Sequence, residues 1–176
     1  RINRLDDIDQ MITFMKRHNF AIVVSSHDGM PVATHLPLTL SQVGDSLILY
    51  GHFARANTQW QTIHDQDVLV IFSGSHAYIS PKHYDKVESV PTWNYTVVHA
   101  YGRPTVMTVE THPEQIEQLL LDLIKQHEVS YEQQWNTLPD TYRAGMKKGI
   151  VGIEIQLTQL QGKAKLSQNK SHDEQH

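Results

Sequence analysis

The chain has 176 residues, 39% of them hydrophobic and 19% charged, with a formal net charge of −4 when histidine is neutral. That length suits one ordinary domain, and the mixture excludes the charge-rich, apolar-poor composition of a disordered segment. No apolar run approaches the roughly 20 residues of a membrane span, and the lack of cysteine excludes a disulfide scaffold, a thiolate metal site and a cysteine nucleophile. The acidic balance also argues against a protein that works mainly by neutralising phosphates, because counterion release rewards clustered Lys and Arg. No secretory signal is read at the start, so cytoplasm is the expected compartment. Twelve histidines make every charge statement sensitive to pH.

Residues 5–19 read as a helix. Ile8, Met11, Ile12 and Met15 recur at i, i+3, i+4 and i+7, with Asp6 and Asp7 at the positive N-terminal end. Residues 20–26 form a strand, Asp28-Gly29 is a turn signal, and 31–38 return as a second strand. A Gly44-Asp45 turn leads into a strand over 46–52, and 53–63 suit a short helix. The run 68–72 is short, apolar and β-branched, hence a buried strand, which 76–79 extend past a turn or bulge at Ser73-Gly74-Ser75. After a mixed loop over 81–91, strands are expected over 92–102 and 105–109.

Residues 113–127 are the clearest helix, with Ile116, Leu119, Leu120, Leu123 and Ile124 on one stripe and Pro113 in the first turn. A weaker helix over 139–148 stops at Gly149, and 150–160 alternate as a last strand. The expected organisation is a single α+β domain over 1–169 and a polar tail over 170–176. Six or seven closely spaced strands favour an antiparallel barrel or sandwich over a βαβ series.

No Gly-x-Gly-x-x-Gly follows the first strand and no Walker A sequence occurs, so a Rossmann or P-loop enzyme is not expected. Residues 51–57 (GHFARAN) offer another phosphate cradle. There a strand ends, and free N–H groups, the Arg55 guanidinium and the Asn57 amide suit an anion. The competing account is a surface cation beside a helix cap. His35, His52, His76, His83 and His99 lie near predicted strands, but none has metal-ligand spacing, and no metal site is assigned. A haem held by one histidine stays as an alternative.

There is no Gly-x-Ser-x-Gly elbow, and the carboxylates sit mostly in helices and loops. No catalytic residue is assigned, although His35 and His99 are candidates for proton delivery. Trp93 and Tyr95 flanking Asn94 could set an aromatic face beside an amide for a planar cofactor, or could mark a core tryptophan at a turn. The ending 162–169 (GKAKLSQN) could meet an anion or be a soluble tail.

Five stretches occur in one order: 33–38 (ATHLPL), 51–60 (GHFARANTQW), 70–81 (VIFSGSHAYISP), 90–95 (VPTWNY) with 98–103 (VHAYGR), and 165–169 (KLSQN). This pattern closely resembles the PaiB family of FMN-binding negative transcriptional regulators, over nearly the whole chain. Positions 58 and 73 are Thr and Ser, where family members commonly show Pro and Gln. The resemblance implies an FMN-binding split β-barrel, antiparallel and Greek-key-like with flanking helices, similar to pyridoxamine-phosphate oxidases and flavin reductases. It also implies a homodimer with flavin at the subunit interface.

Read so, Thr34, His35 and Leu36 would run along the isoalloxazine, and Arg55 and Asn57 would take the phosphate. Trp93 and Asn94 would come from the partner subunit, while Lys165, Ser167 and Gln168 would close the site. The expected function is PaiB-type regulation. Direct contact with DNA would fall on Arg143, Lys147, Lys148 and the tail, although no helix-turn-helix is read. The alternatives are a flavin-dependent oxidoreductase using NAD(P)H and a haem-handling protein of the same fold.

Overall fold

The computed structural model describes residues 3–84 and 88–170. Strand β1 (Arg4–Leu5) precedes helix α1 (Ile8–Arg17), which starts where Asp7 accepts the Gln10 backbone N–H at 3.1 Å. An aspartate in that position satisfies one of the helix's orphan donors. Strand β2 (Phe20–His27) turns at Asp28 and Gly29, with φ of 51° and 78°, into β3 (Met30–Pro37). Two consecutive left-handed residues match the twist of an antiparallel pair. A second hairpin joins β4 (Thr39–Val43) to β5 (Ser46–Ala54) around Gly44.

The long strands β6 (Val68–Ile79) and β7 (Thr92–Met107) pair next. Helices α2 (Pro113–His127), α3 (Tyr131–Thr137) and α4 (Asp140–Lys148) then lead into the last strand, β8 (Ile150–Lys165).

All pairings are antiparallel, in the order β3-β2-β6-β7-β8-β5-β4, with β1 added to β8. The inward residues alternate along each strand. Val23, Val70, Phe72, Val98, Ala100, Ile153 and Ile155 are sealed in one core, and Met11, Ile12 and Met15 of α1 join it from the end of the barrel. Helix α2 packs outside, where Ile116, Leu119 and Leu123 meet Met107, Tyr50 and Ile150.

Strands β3 and β5 meet without a ladder. A Cβ added to Gly51 would lie 2.5 Å from Leu38 Cδ2 and 3.2 Å from the Pro37 carbonyl, so glycine lets β5 pass there without displacing its neighbours. This seam is the split of the barrel.

The split barrel is the architecture that the motifs implied, with eight strands rather than six or seven. The expected helix over 53–63 is instead the end of β5 followed by two short 3₁₀ turns, Thr58–Gln61 and Ile63–Asp65. The apolar side chains there follow the β5 period up to Phe53, so the strand runs on to Ala54, and Asn57 caps only a short 3₁₀ turn after it. The expected strands 92–102 and 105–109 are one strand, because a register shift between Tyr101 and Gly102 absorbs the irregularity and Pro104 continues the pairing with Ile155. Strand β4 and helix α3 carry no period to reveal them. Residues 171–176 of the expected tail lie outside the described residues.

Candidate functional site

The seam is held by one buried amide. Gln59, only 3% exposed, follows β5 and reaches across to the β2–β3 hairpin. Its Nε2 donates to Val23 O at 3.1 Å, Ser25 Oγ at 2.9 Å and Val32 O at 3.2 Å. Its Oε1 accepts from Thr34 Oγ1 at 2.6 Å. Thr34 in turn accepts from Asn57 Nδ2 at 2.8 Å, and Asn57 Oδ1 caps the turn by accepting the Gln59 N–H at 2.9 Å.

Two expected site residues, Thr34 and Asn57, are therefore joined directly. Arg55 lies beside them in sequence and turns toward α4. Its Nε donates to Lys148 O at 2.6 Å and its Nη2 to Glu110 Oε2 at 3.2 Å, while Nη1 has no partner among the described residues. His35 is exposed on the outward side of β3, its ring 6.0 Å from that of Phe20. The Leu36 side chain is buried in the core, so only its backbone can meet a ligand.

The other five expected residues gather at the far end of β7 and β8. Ser167 Oγ donates to Asn94 Oδ1 at 3.1 Å, and Lys165 Nζ donates to Thr92 Oγ1. Gln168 folds back, accepting the Leu166 N–H at 2.8 Å and donating to Ala164 O. Ser167 holds a left-handed φ of 61° to make this turn and is itself buried. Trp93 stays 53% exposed, with its ring 5.8 Å from Tyr78 and 5.9 Å from His76. Lys163 Nζ lies 5.4 Å over the Tyr95 ring. A groove of about 1620 Å³ runs beside this arm, with Ser73, His76, Trp93, His99 and Lys163 among its walls.

Register measures how far apart the two groups lie on one chain. Thr34 pairs with Val23, Val23 with Val70, and Val70 with Ala100. Asn94 is six residues further along β7, or about 20 Å of strand. Between them, the outward face of β2, β6 and β7 presents Ile22, Val24, Leu69, Ile71, Val97 and Tyr101 around His99, all half-buried. The helices pack elsewhere, α1 against the core and α2 on β5, β7 and β8.

The histidines do not converge. Among the described residues no group of three or more His, Asp or Glu could hold a metal ion, and the His83 side chain lies outside those described. His52 is set apart from the rest. It pairs with Gly152, whose outward side meets Ile116, Leu119 and Met107, so its ring lies beside the apolar stripe of α2. Its Nδ1 is buried without a hydrogen-bond partner among the described residues, and burial lowers its pKa from the ordinary 6.5. Gln59 is the residue that sequence reasoning missed. It sits inside the recognised 51–60 stretch, but nothing in a polar stretch marks which amide is buried.

The family model described as "Putative FMN-binding domain" matches residues 2–159, and the chain belongs to that FMN-binding family, as the PaiB resemblance of its motifs implied. The chain is 36% identical over 169 residues to the protease synthase and sporulation protein PAI 2 of Bacillus subtilis, covering 96% of this chain and 80% of that protein. Among solved structures, the flavocytochrome Anf3 of Azotobacter vinelandii superposes with a TM-score of 0.70 at 15% identity, over 92% of this chain and 68% of that one. The FAD and heme binding protein of Mycobacterium smegmatis gives 0.68 at 12% identity, over 98% and 78%. These two likenesses show the fold. Among the described residues no helix is long and apolar enough to cross a membrane.

Two outcomes test this account of the site. Gln59→Ala strands several buried acceptors at once and is expected to cost about 1–3 kcal/mol of stability, read as a lower midpoint in urea or heat. A midpoint equal to wild type would remove Gln59 from its place at the seam. His52 titrates lower in the folded chain than in the unfolded one, so the unfolded state takes up the proton first as pH falls. The contribution of His52 is complete above pH 6.5 and declines below it. Replacing His52 by Leu is expected to flatten the fall in stability between neutral and mildly acidic pH, measured as denaturation midpoints across that range.

Proposed function

We propose that the protein is a PaiB-type, FMN-binding homodimer that acts in negative regulation of transcription, each flavin being held between two subunits. The observation that carries this reading is the separation of the donors. One chain offers Thr34, Arg55 and Asn57 at its seam and Trp93, Asn94, Lys165, Ser167 and Gln168 about 20 Å of strand away. A second copy, laid against the outward face of β2, β6 and β7, brings the arm of one subunit to the seam of the other. That face is apolar along its middle, which suits burial between copies.

The residues present fit FMN. The unpartnered Nη1 of Arg55 suits a phosphate, the Ser, Gln and Asn side chains suit the ribityl hydroxyls and ring edge, and exposed Trp93 suits a flat ring. When bound, the flavin supplies reversible electron storage. The regulatory half of the proposal rests on the family and on the Bacillus relative, which is named for protease synthesis and sporulation. A direct DNA contact through α4 gains little support. Lys147 is bonded to Glu117 at 2.6 Å and Arg143 to Asp140 at 2.5 Å, so two of its three cations are already spent.

A flavin-dependent oxidoreductase is the second reading. It is favoured by the groove beside Trp93, which leaves room for another planar reactant next to His76 and His99.

Sharing can be tested by mixing subunits. Arg55→Ala and Trp93→Ala are each expected to weaken FMN binding by about 10–100-fold, the size of a lost charge-assisted or stacking contact. In mixed dimers one site would carry both defects and the other neither. Up to one wild-type-affinity site per mixed dimer should therefore reappear in flavin fluorescence titrations. No recovery in dimers shown to be mixed would place each flavin within one chain. The oxidoreductase reading expects NADH or NADPH to bleach the oxidised flavin band near about 450 nm under anaerobic conditions. A flavin-loaded dimer that neither reductant bleaches would sink it.

A further inference from the structure

Three hydrogen bonds from two places in the fold grip Arg55. Its backbone N–H donates to Gly149 O at 2.8 Å and its Nε to Lys148 O at 2.6 Å, both at the C-terminal end of α4. Its Nη2 donates to Glu110 Oε2 at 3.2 Å. Glu110 stands on the turn between β7 and α2. That turn is braced by Thr108 and Thr111, with Thr108 N–H donating to Thr111 Oγ1 at 3.1 Å and Thr111 N–H to Thr108 O at 3.2 Å. A hydrogen bond from Thr108, then one from its own backbone, then Arg55, hold the Glu110 carboxyl below the usual carboxylate range. A dianion arriving at Nη1 thus meets a guanidinium whose charge a fixed carboxylate already opposes.

We propose that Glu110 is a positioning residue that orients the Arg55 guanidinium and at the same time restrains its hold on the flavin phosphate. The inference rests on Arg55 being the phosphate anchor. Glutamine at position 110 keeps an oxygen to accept from Nη2 and removes only the charge. Glu110→Gln in the full-length dimer should therefore tighten FMN by about three- to tenfold at low salt, the size of one screened charge interaction at a protein surface. Riboflavin, which lacks the phosphate, should bind with unchanged affinity.

The gain should shrink at high salt and vanish in an Arg55→Ala background. Titrations of flavin fluorescence with FMN and riboflavin, for wild type, Glu110→Gln, Arg55→Ala and the double variant, read all of this. If Arg55→Ala weakens FMN while Glu110→Gln leaves it unchanged, the inference about Glu110 alone is overturned. An equal gain for riboflavin, or a gain that persists without Arg55, overturns it as well. If Arg55→Ala leaves FMN untouched, the anchor reading falls and this inference falls with it.

Discussion

The structure depends on how a curved antiparallel sheet deals with its two ends. A closed barrel joins them by a ladder, which pairs every edge N–H and C=O. Here the end strand β3 meets β5, the neighbour of the other end strand β4, without one, and the Gln59 side chain does part of the ladder's work by serving Val23, Val32, Ser25 and Thr34 at once. A buried amide so completely used is rigid, because each bond it might lose would strand a partner away from water. Thr34 and Asn57 hang on the same network. The bonds that shut the barrel are thus the bonds that set the seam side of the candidate site. The Thr34 and Asn57 side chains are held in place by the packing of the seam itself, while Arg55 is held separately by Lys148, Gly149 and Glu110.

The other end of the sheet has the opposite character. Strand β2 pairs with β6 only through Leu69, Val70 and Ile71, yet β6 runs on to Ile79 with β7 alongside. From Ser73 onward the arm has a free edge and bears exposed Tyr78 and Trp93. Strand β8 backs β7 as far as Tyr95, so only the tip, Ala77–Ile79 against Thr92–Asn94, is a two-stranded ribbon, which is marginal alone, and the free β6 edge invites pairing. The proposed second subunit answers both problems, since it would cover the arm while receiving its aromatic face.

The long, strongly patterned elements were legible in the sequence. Residues 113–127 matched α2 at both ends, because a full apolar stripe, a proline in the first turn and basic residues in the last all agree. The apolar run at the start of β6 and the alternation of β8 over 150–160 were equally plain. What failed was whatever tertiary contact decides. The stretch 53–63 has helix-like spacing, but its strand is extended by pairing with β8 up to Ala54, and Asn57 then caps only a short 3₁₀ turn. Helix α3 buries only Trp135, too little to leave a period. For the site, the motif order pointed to two clusters, and the structure sets Thr34, Arg55 and Asn57 near the seam and Trp93, Asn94, Lys165, Ser167 and Gln168 at the ends of β7 and β8. The role of Gln59 was not, since an amide's burial is a property of the seam and not of its neighbours in sequence.

Net charge was the least instructive number. At −4 the chain looks ill-suited to a dianionic ligand, but its cations are unevenly spent. Arg143, Lys147, Lys125 and Arg55 each face a carboxylate. Lys163 and Lys165 do not. One lies over the Tyr95 ring and the other meets the Thr92 hydroxyl, and neither forms an ion pair among the described residues. The arm therefore carries two cations outside ion pairs, on the same strand ends as Trp93 and Asn94, while Asp6 and Asp45 stand on other walls of the groove beside it. Fields of this kind act over about a Debye length, roughly 8–10 Å at physiological salt, so a local pair of lysines outweighs carboxylates spread over distant helices. An acidic protein can hold an anion where unpaired cations stand close to it, and here the pairs Lys125–Glu132, Arg143–Asp140 and Lys147–Glu117 keep part of the opposing charge on α2, α3 and α4.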